Sequence, residues 1–404
     1  MNSQALEGIK VAEFAWVGVG PRIGKYLADN GATVIRIESS TRPDLLRTQV
    51  PYKDNMPGLN RAGTFAYVNT SKYSMGLNMS HSKAKHVAER LVKWADVVTE
   101  SFTPGIMANW GLDYDNLRRI KANIIMLSTC NQGQTGPHAK HPGYGAQLVA
   151  LSGFTQITGW PDRLPTQPYG AYTDYVAPRL GAAALVAALD YQRRTGKGQY
   201  LDLSQLESGI HFLAPLILQY TVNEQIPQRQ GNRCPYAAPH GVYRCKGDDR
   251  WCAIAVFTDE EWESFCNVIG KPKWTQDARF STLISRKTNE DELDRLVEAW
   301  TIGYTAEETM SMMQKAGIGC GVVKNIKEVY EDPQLSHRGS FYRVEHSEMG
   351  LIPCEANGFL LSKTPGGVRR PPPCLGQHTE YVCRELLGMS DDEFVTMLNE
   401  GVFE

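Results

Sequence analysis

An α/β fold built on a largely parallel, doubly wound sheet is the architecture this 404-residue sequence predicts. Three observations carry that expectation. Strand and helix patterns alternate through the first third of the chain. A glycine-rich turn joins the first strand to the first helix. Near residue 226 the pattern changes, and a smaller α+β region begins.

Residues 10–15 read as the first strand, after which Gly20-Pro21 opens a helix through Leu27, and Gly31 suits a left-handed cap. Residues 33–38 are rich in β-branched side chains and give a second strand. A helix over residues 83–95 places Ala84, Val87, Leu91 and Trp94 or Ala95 on one apolar stripe. Residues 97–100 and 124–128 continue the alternation around a short helix at 114–120. A long Ala/Leu-rich helix over 176–193 stops at Thr195-Gly196-Lys197-Gly198. It is followed by a strand at 200–203 and a buried helix at 206–218. Residues 223–233 are polar and read as a linker.

Beyond the linker, residues 242–245 and 251–256 bracket the turn Gly247-Asp248-Asp249-Arg250 as a hairpin. Thr258 with Glu261, and Thr305 with Glu308, have the spacing of capping boxes that start two helices. The tail holds another hairpin, a Pro371-Pro372-Pro373 strap and two short helices. The expected organisation is a large discontinuous domain, residues 1–222 and 331–404, with a small α+β domain at 226–325.

A chain of this length exceeds what one core usually serves, which agrees with two domains. Its 42 basic and 44 acidic residues leave a net charge of −2. That balance gives no electrostatic reason to expect nucleic acid or an anionic membrane as partner. The longest apolar run, 182–189, falls far short of the roughly 20 residues that span a bilayer. A soluble, cytoplasmic protein is therefore expected. The nine cysteines include no C-x-x-C pair and the histidines no H-x-x-x-H pair, so no metal site is expected. Neither a G-x-S-x-G elbow nor a P-loop is present.

Two segments carry candidate chemistry. Gly18-Val19-Gly20-Pro21-Arg22-Ile23-Gly24 lies between a strand and a helix, and Glu38 ends the next strand. This approaches a Rossmann-like dinucleotide fingerprint, but the spacing is G-x-G-x-x-x-G and Pro21 removes an amide donor. Three readings stay open: a tight strand–helix turn, a phosphate site for coenzyme A (CoA), or a nicotinamide or flavin site. The second segment, Tyr169-Gly170-Ala171-Tyr172-Thr173-Asp174-Tyr175, precedes the long helix. Asp174 there suits an N-cap. The same position could also hold a carboxylate nucleophile shielded from water by Tyr172 and Tyr175.

Several further segments occur in a familiar order: Leu6-Glu7-Gly8-Ile9-Lys10-Val11, residues 27–38, Asn69-Thr70-Ser71-Lys72, Ala95-Asp96-Val97-Val98, Thr195-Gly196-Lys197-Gly198-Gln199 and Ala238-Pro239-His240-Gly241-Val242-Tyr243. Together they resemble the class III CoA-transferases over nearly the whole chain. The resemblance implies that Asp174 is the nucleophile. It also implies that Val17, Gly18, Ser71, Lys72, Ser101, Phe102, Thr103, Asn109 and Tyr144 contact CoA. CoA and acyl-CoA would then be substrates rather than tightly held cofactors, exchanged with a free carboxylic acid. An interlocked dimer is implied, either a homodimer or a heterodimer with a related chain.

The same superfamily includes acyl-CoA racemases, which carry a histidine where this chain has Tyr144 in Pro142-Gly143-Tyr144-Gly145. A phenol, titrating ordinarily near about pH 10, is poorly matched to shuttling protons beside a thioester. Relatives place basic residues at the positions of Thr103 and Asn109, and neither is basic here. The glycine-rich loop of formyl-CoA transferase is also missing, which disfavours oxalate. The tyrosines near Asp174, with Trp110 and Trp160, suit either core packing or a bulky or aromatic acyl group. The resemblance, for its part, implies exchange on a benzylsuccinate-type or other dicarboxylate. The rival readings are a racemase, an NAD(P)-dependent oxidoreductase using Gly18, Gly20, Gly24 and Glu38, and a non-catalytic subunit of a heteromeric transferase.

Overall fold

The computed structural model describes residues 4–404, which divide into two compact units. The first unit comprises residues up to Phe154, Gln167–Gln225 and Pro333–Glu404. The second comprises Thr155–Thr166 and Ile226–Asp332. Residues 155–166 thus leave the continuous 1–222 piece expected from sequence. Hydrogen bonds explain why: the Gly231 N–H donates to Gly159 O (2.8 Å) and Arg229 to Gln156 O (3.0 Å).

Six parallel strands form the sheet of the first unit. They are β1 (Lys10–Glu13), β2 (Thr33–Glu38), β3 (Tyr73–Gly76), β4 (Val97–Glu100), β5 (Ile125–Cys130) and β6 (Tyr200–Ser204), in the order β3-β2-β1-β4-β5-β6. The helices used below are α1 (Val19–Asp29), α2 (Gly63–Val68), α3 (Ala84–Trp94), α4 (Tyr114–Ile120), α5 (Gly145–Leu151), α6 (Thr173–Thr195), α7 (Gln205–Ile210) and α8 (Ala214–Asn223).

Successive strand residues point to opposite faces, and both faces are covered. Val11, Val97 and Leu127 meet Ile23 and Leu27 of α1 and Leu185 of α6. Ala12, Val98 and Met126 meet Leu91 of α3, Leu117 of α4 and residues of the tail. This is the doubly wound arrangement expected. β3 carries little β-branched signal and escaped sequence reading. Its edge is instead pinned by the tail, where the Gly76 N–H donates to Thr379 Oγ1 (2.9 Å) and the Ser74 N–H to His378 Nδ1 (3.2 Å).

In the second unit β7 (His240–Arg244) and β8 (Trp251–Ala255) form the expected hairpin, and β9 (Gly319–Val322) adds a third antiparallel strand. Helices α9 (Asp259–Val268), α10 (Glu290–Thr301) and α11 (Ala306–Lys315) cover it. Both capping boxes are present. The Glu261 N–H donates to Thr258 Oγ1 (3.2 Å), and the Glu308 N–H to Thr305 Oγ1 (3.1 Å). Among the described residues no helix is long and apolar enough to cross a membrane, and none form a metal-holding group of His, Cys, Asp or Glu.

Candidate active site

A cavity of about 840 Å³ opens where the loops after β1, β4 and β5 meet the starts of α5 and α6, all within the first unit. Sheets of this kind bind ligands beyond the carboxyl ends of their strands, at the point where strand order reverses. Here β1 and β4 flank that point.

The loop after β1 is tied to the loop after β4. The Trp16 N–H donates to Ser101 Oγ, and the Ser101 hydroxyl donates back to Trp16 O, both at 2.8 Å. Trp16, Phe102 and Trp110 continue this tie as an edge-to-face series with ring centroids 5.5 and 5.2 Å apart. Trp110 therefore packs behind the cavity rather than lining it. Val17 adopts a left-handed φ of 61°, costly for a β-branched residue, and its N–H is held by Asp44 Oδ2 (3.0 Å).

Asp174 lines the cavity as the second residue of α6. Tyr172 occupies the N-cap position without a side-chain cap bond, so the N-cap role open to Asp174 from sequence does not apply. The carboxylate instead accepts a close hydrogen bond from Gln205 Nε2 of α7, which also donates to Thr173 Oγ1 (3.0 Å). Gly18 and Gly145 shoulder the carboxylate from either side. A Cβ on Gly18 would lie 2.7 Å from Asp174 Oδ2, and one on Gly145 would lie 2.3 Å from Oδ1.

Burial pushes the Asp174 carboxyl above the ordinary carboxylate range, while the Arg22 charge and the Gln205 hydrogen bond pull it down incompletely. A second nucleophilic side-chain type, the Cys130 thiol, also lines the cavity. Burial, with a smaller contribution from Asp202, pushes that thiol up to about 11, so it stays protonated near neutrality.

Seven of the ten residues expected from sequence line this cavity: Val17, Gly18, Ser101, Phe102, Thr103, Tyr144 and Asp174. Three do not. Ser71 is buried and donates to Asp29 Oδ1 (2.5 Å). Lys72 is buried with its ammonium donating to Glu13 Oε1, Pro21 O and Asn69 Oδ1 at 2.7–2.9 Å. All three of its donors are thereby used, and none is left for a phosphate. Asn109 closes the short helical turn Ile106–Asn109 and faces solvent outside the cavity.

The glycine turn resolves toward packing. A Cβ on Gly20 would lie 2.3 Å from Ala15 Cβ, and one on Gly24 1.7 Å from Glu13 Oε2. Glu38, required by the dinucleotide reading, is buried between Arg36 (3.2 Å) and Arg47 (2.7 Å) and has no free oxygen for a ribose. That pairing overturns the NAD(P) reading.

Arg22, Tyr67 and Gln205 also line the cavity and were not singled out from sequence. Arg22 stands inside the glycine motif, where its charge was the available signal. Gln205 is 31 residues from Asp174, and its approach depends on α6 and α7 packing together, which no local pattern records.

Residues 6–379 match the model of CoA-transferase family III. A succinyl-CoA–D-citramalate CoA-transferase of Chloroflexus aurantiacus is 31% identical over 392 residues, covering 97% of this chain and 96% of that protein. A succinate–glutarate CoA-transferase of Agrobacterium fabrum is 31% identical over 383 residues, covering 94% and 95%. The crystal structure of a CAIB/BAIF family protein from Brucella suis superposes with a TM-score of 0.87 at 29% identity, covering 96% of this chain and all of that one.

Proposed function

The chain belongs to CoA-transferase family III, and on that premise we propose that Asp174 carries CoA between two carboxylic acids through covalent aspartyl intermediates. The observation that carries this reading is the Asp174 carboxylate itself. It lies in the large cavity, hydrogen-bonded by Gln205 and closely flanked by two glycines.

In the first step a carboxylate oxygen of Asp174 attacks the thioester carbonyl of the donor. The C–S bond breaks, leaving an acyl-aspartyl anhydride and the CoA thiolate. The thiolate then attacks the aspartyl carbonyl of the anhydride, forming an aspartyl-CoA thioester and releasing the donor acid. The acceptor carboxylate attacks that thioester, expels the thiolate and forms a second anhydride. Attack of the thiolate on the acceptor's carbonyl completes the new acyl-CoA and frees Asp174. The thioester is exchanged rather than spent, so no ATP enters.

Each addition puts negative charge on a carbonyl oxygen, where one well-placed donor is worth about 3–4 kcal/mol. The backbone around Gly143–Gly145, beside the Asp174 carboxylate, is the proposed source of such donors. Val17, Gly18, Ser101, Phe102, Thr103 and Tyr144 are the proposed CoA contacts, and the tie between Trp16 and Ser101 would hold that wall in place. The proposed partners are an acyl-CoA and a free acid, with dicarboxylates of the succinate, glutarate or citramalate kind favoured by the names of the relatives. A benzylsuccinate-type acid falls within the same class.

Asp174→Asn keeps the shape of the side chain and removes the nucleophile. Transfer from succinyl-CoA to glutarate is expected to fall by at least about 10³-fold in this variant, with an unchanged melting temperature. Transfer within tenfold of wild type would overturn the assignment.

A further inference from the structure

The cavity around Asp174 holds one cationic side chain among its lining residues, Arg22. Arg22 stands on the first turn of α1 near two phenol rings, its guanidinium carbon 4.3 Å from the Tyr175 ring centre and 5.7 Å from that of Tyr67. Among the described residues the guanidinium makes one hydrogen bond, to Gly18 O at 3.2 Å, and Nε is buried without a partner. Gly18 is also the residue whose added Cβ would lie 2.7 Å from Asp174 Oδ2. Arg22 and the nucleophile therefore flank the same stretch of backbone.

A guanidinium has five N–H donors in one plane. With two rings against it and one donor used, its remaining N–H groups are suited to a planar anion, and a carboxylate matches that fork with two parallel hydrogen bonds. CoA itself does not supply the anion at this position. Its phosphates lie at the far end of the pantetheine arm from the thioester, whereas Arg22 stands beside the group that attacks the thioester. A carboxylate of the acyl group is the anion that the exchange itself brings to this cavity. A distal carboxylate entering this cavity without a countercharge would lose its hydration uncompensated.

We propose that Arg22, beside the rings of Tyr67 and Tyr175, binds the second carboxylate of the acyl substrate and thereby selects dicarboxylic over monocarboxylic acids. This rests on the reading of Asp174 as the nucleophile and adds the group that decides which acid it accepts. The Arg22 charge also acts on Asp174, and a role confined to that would change the rate for every acyl group alike.

The test compares succinyl-CoA with butyryl-CoA, two four-carbon donors that differ in the distal carboxylate. CoA release is measured with hydroxylamine as the acceptor of the acyl group, so no acceptor carboxylate intervenes. The wild type is expected to prefer succinyl-CoA in kcat/KM. Arg22→Gln should lower the ratio of the two kcat/KM values by about 30-fold or more, as loss of a desolvated charge pair does. Arg22→Lys, which keeps the charge and loses the planar fork, should hold an intermediate ratio. Equal loss on both donors in Arg22→Gln, or a wild type that does not discriminate, would overturn the proposal. Should Asp174→Asn retain activity while the ratio still collapses in Arg22→Gln, the nucleophile assignment fails and the Arg22 assignment stands.

Discussion

Four influences compete at Asp174, and their sizes decide how the residue behaves. A first-turn position on α6 favours the ionised form by about 0.3–1 kcal/mol. Arg22 and the Gln205 hydrogen bond favour it as well, yet burial outweighs them and the carboxyl sits above the ordinary carboxylate range. A raised value means that protonation, and with it loss of the proposed nucleophile, sets in at higher pH than for an exposed aspartate. The acid limb of kcat/KM against pH should therefore lie above the usual aspartate range near pH 4. Removing the Arg22 charge should move it higher still. An acid limb below pH 4, or one unmoved in Arg22→Gln, would contradict this balance. That Asp174 lines the cavity agrees with its segment and the chain-wide resemblance, which pointed to the same carboxylate. Ser71 and Lys72 were misplaced because a short motif does not reveal that Glu13, Pro21 and Asn69 use every ammonium donor of Lys72.

The site is assembled from element ends, and the two glycines at those ends set its tolerance. Gly145 begins α5, and a methyl there would meet Asp174 Oδ1 at 2.3 Å and Ala171 Cβ at 2.5 Å. Such a contact cannot persist, so the carboxylate or α5 must shift. Gly145→Ala is expected to lower kcat at least tenfold, because displacements near 1 Å at a reacting centre cost about 10²-fold. Activity within twofold of wild type would show that the carboxylate does not need its present seat. At this scale sequence reading worked where one residue pattern determines the element. The capping boxes at Thr258 and Thr305 are present, and the expected helix over 176–193 lies inside α6, Thr173–Thr195. It did not find β3 or β9, which are defined by strands and tail segments distant in sequence. The expected helix over 206–218 is divided into α7 and α8 by a tighter turn at His211–Leu213.

The first unit is held together beneath the site by buried charge. Arg36 pairs with Glu13 and Glu38, and Arg47 with Glu38, all with side chains fully enclosed. Burial alone opposes the Glu38 charge. Arg36, with the hydrogen bond from Arg47, more than offsets that and lowers its carboxyl from 4.5 to about 2. A lowered folded value contributes stability that is present above pH 4.5 and lost as pH falls toward 2. Glu38→Gln leaves two buried guanidinium groups short of a partner and should cost about 3–5 kcal/mol at pH 7 in denaturant unfolding. The difference from wild type should shrink on acidification; a constant difference down to pH 3 would contradict the linkage. The resemblance also implied a dimer, and large apolar side chains on α8, including Leu218, Tyr220 and Val222, are exposed in the first unit. A second chain seated there is the proposed cover. The alternation of strand and helix made the doubly wound sheet legible, while the transfer of residues 155–166 to the second unit depends on bonds to Gly231 and Arg229 that no composition shift announces. The central claim remains the covalent role of Asp174, and the most direct measurement is to mix enzyme with succinyl-CoA, quench with borohydride and locate the modified residue by peptide mass spectrometry. Reduction of an aspartyl-CoA thioester is predicted to convert Asp174 to the corresponding alcohol, with no such product in Asp174→Asn. Reduction at another residue, or an unmodified Asp174 in enzyme that is turning over, would contradict it.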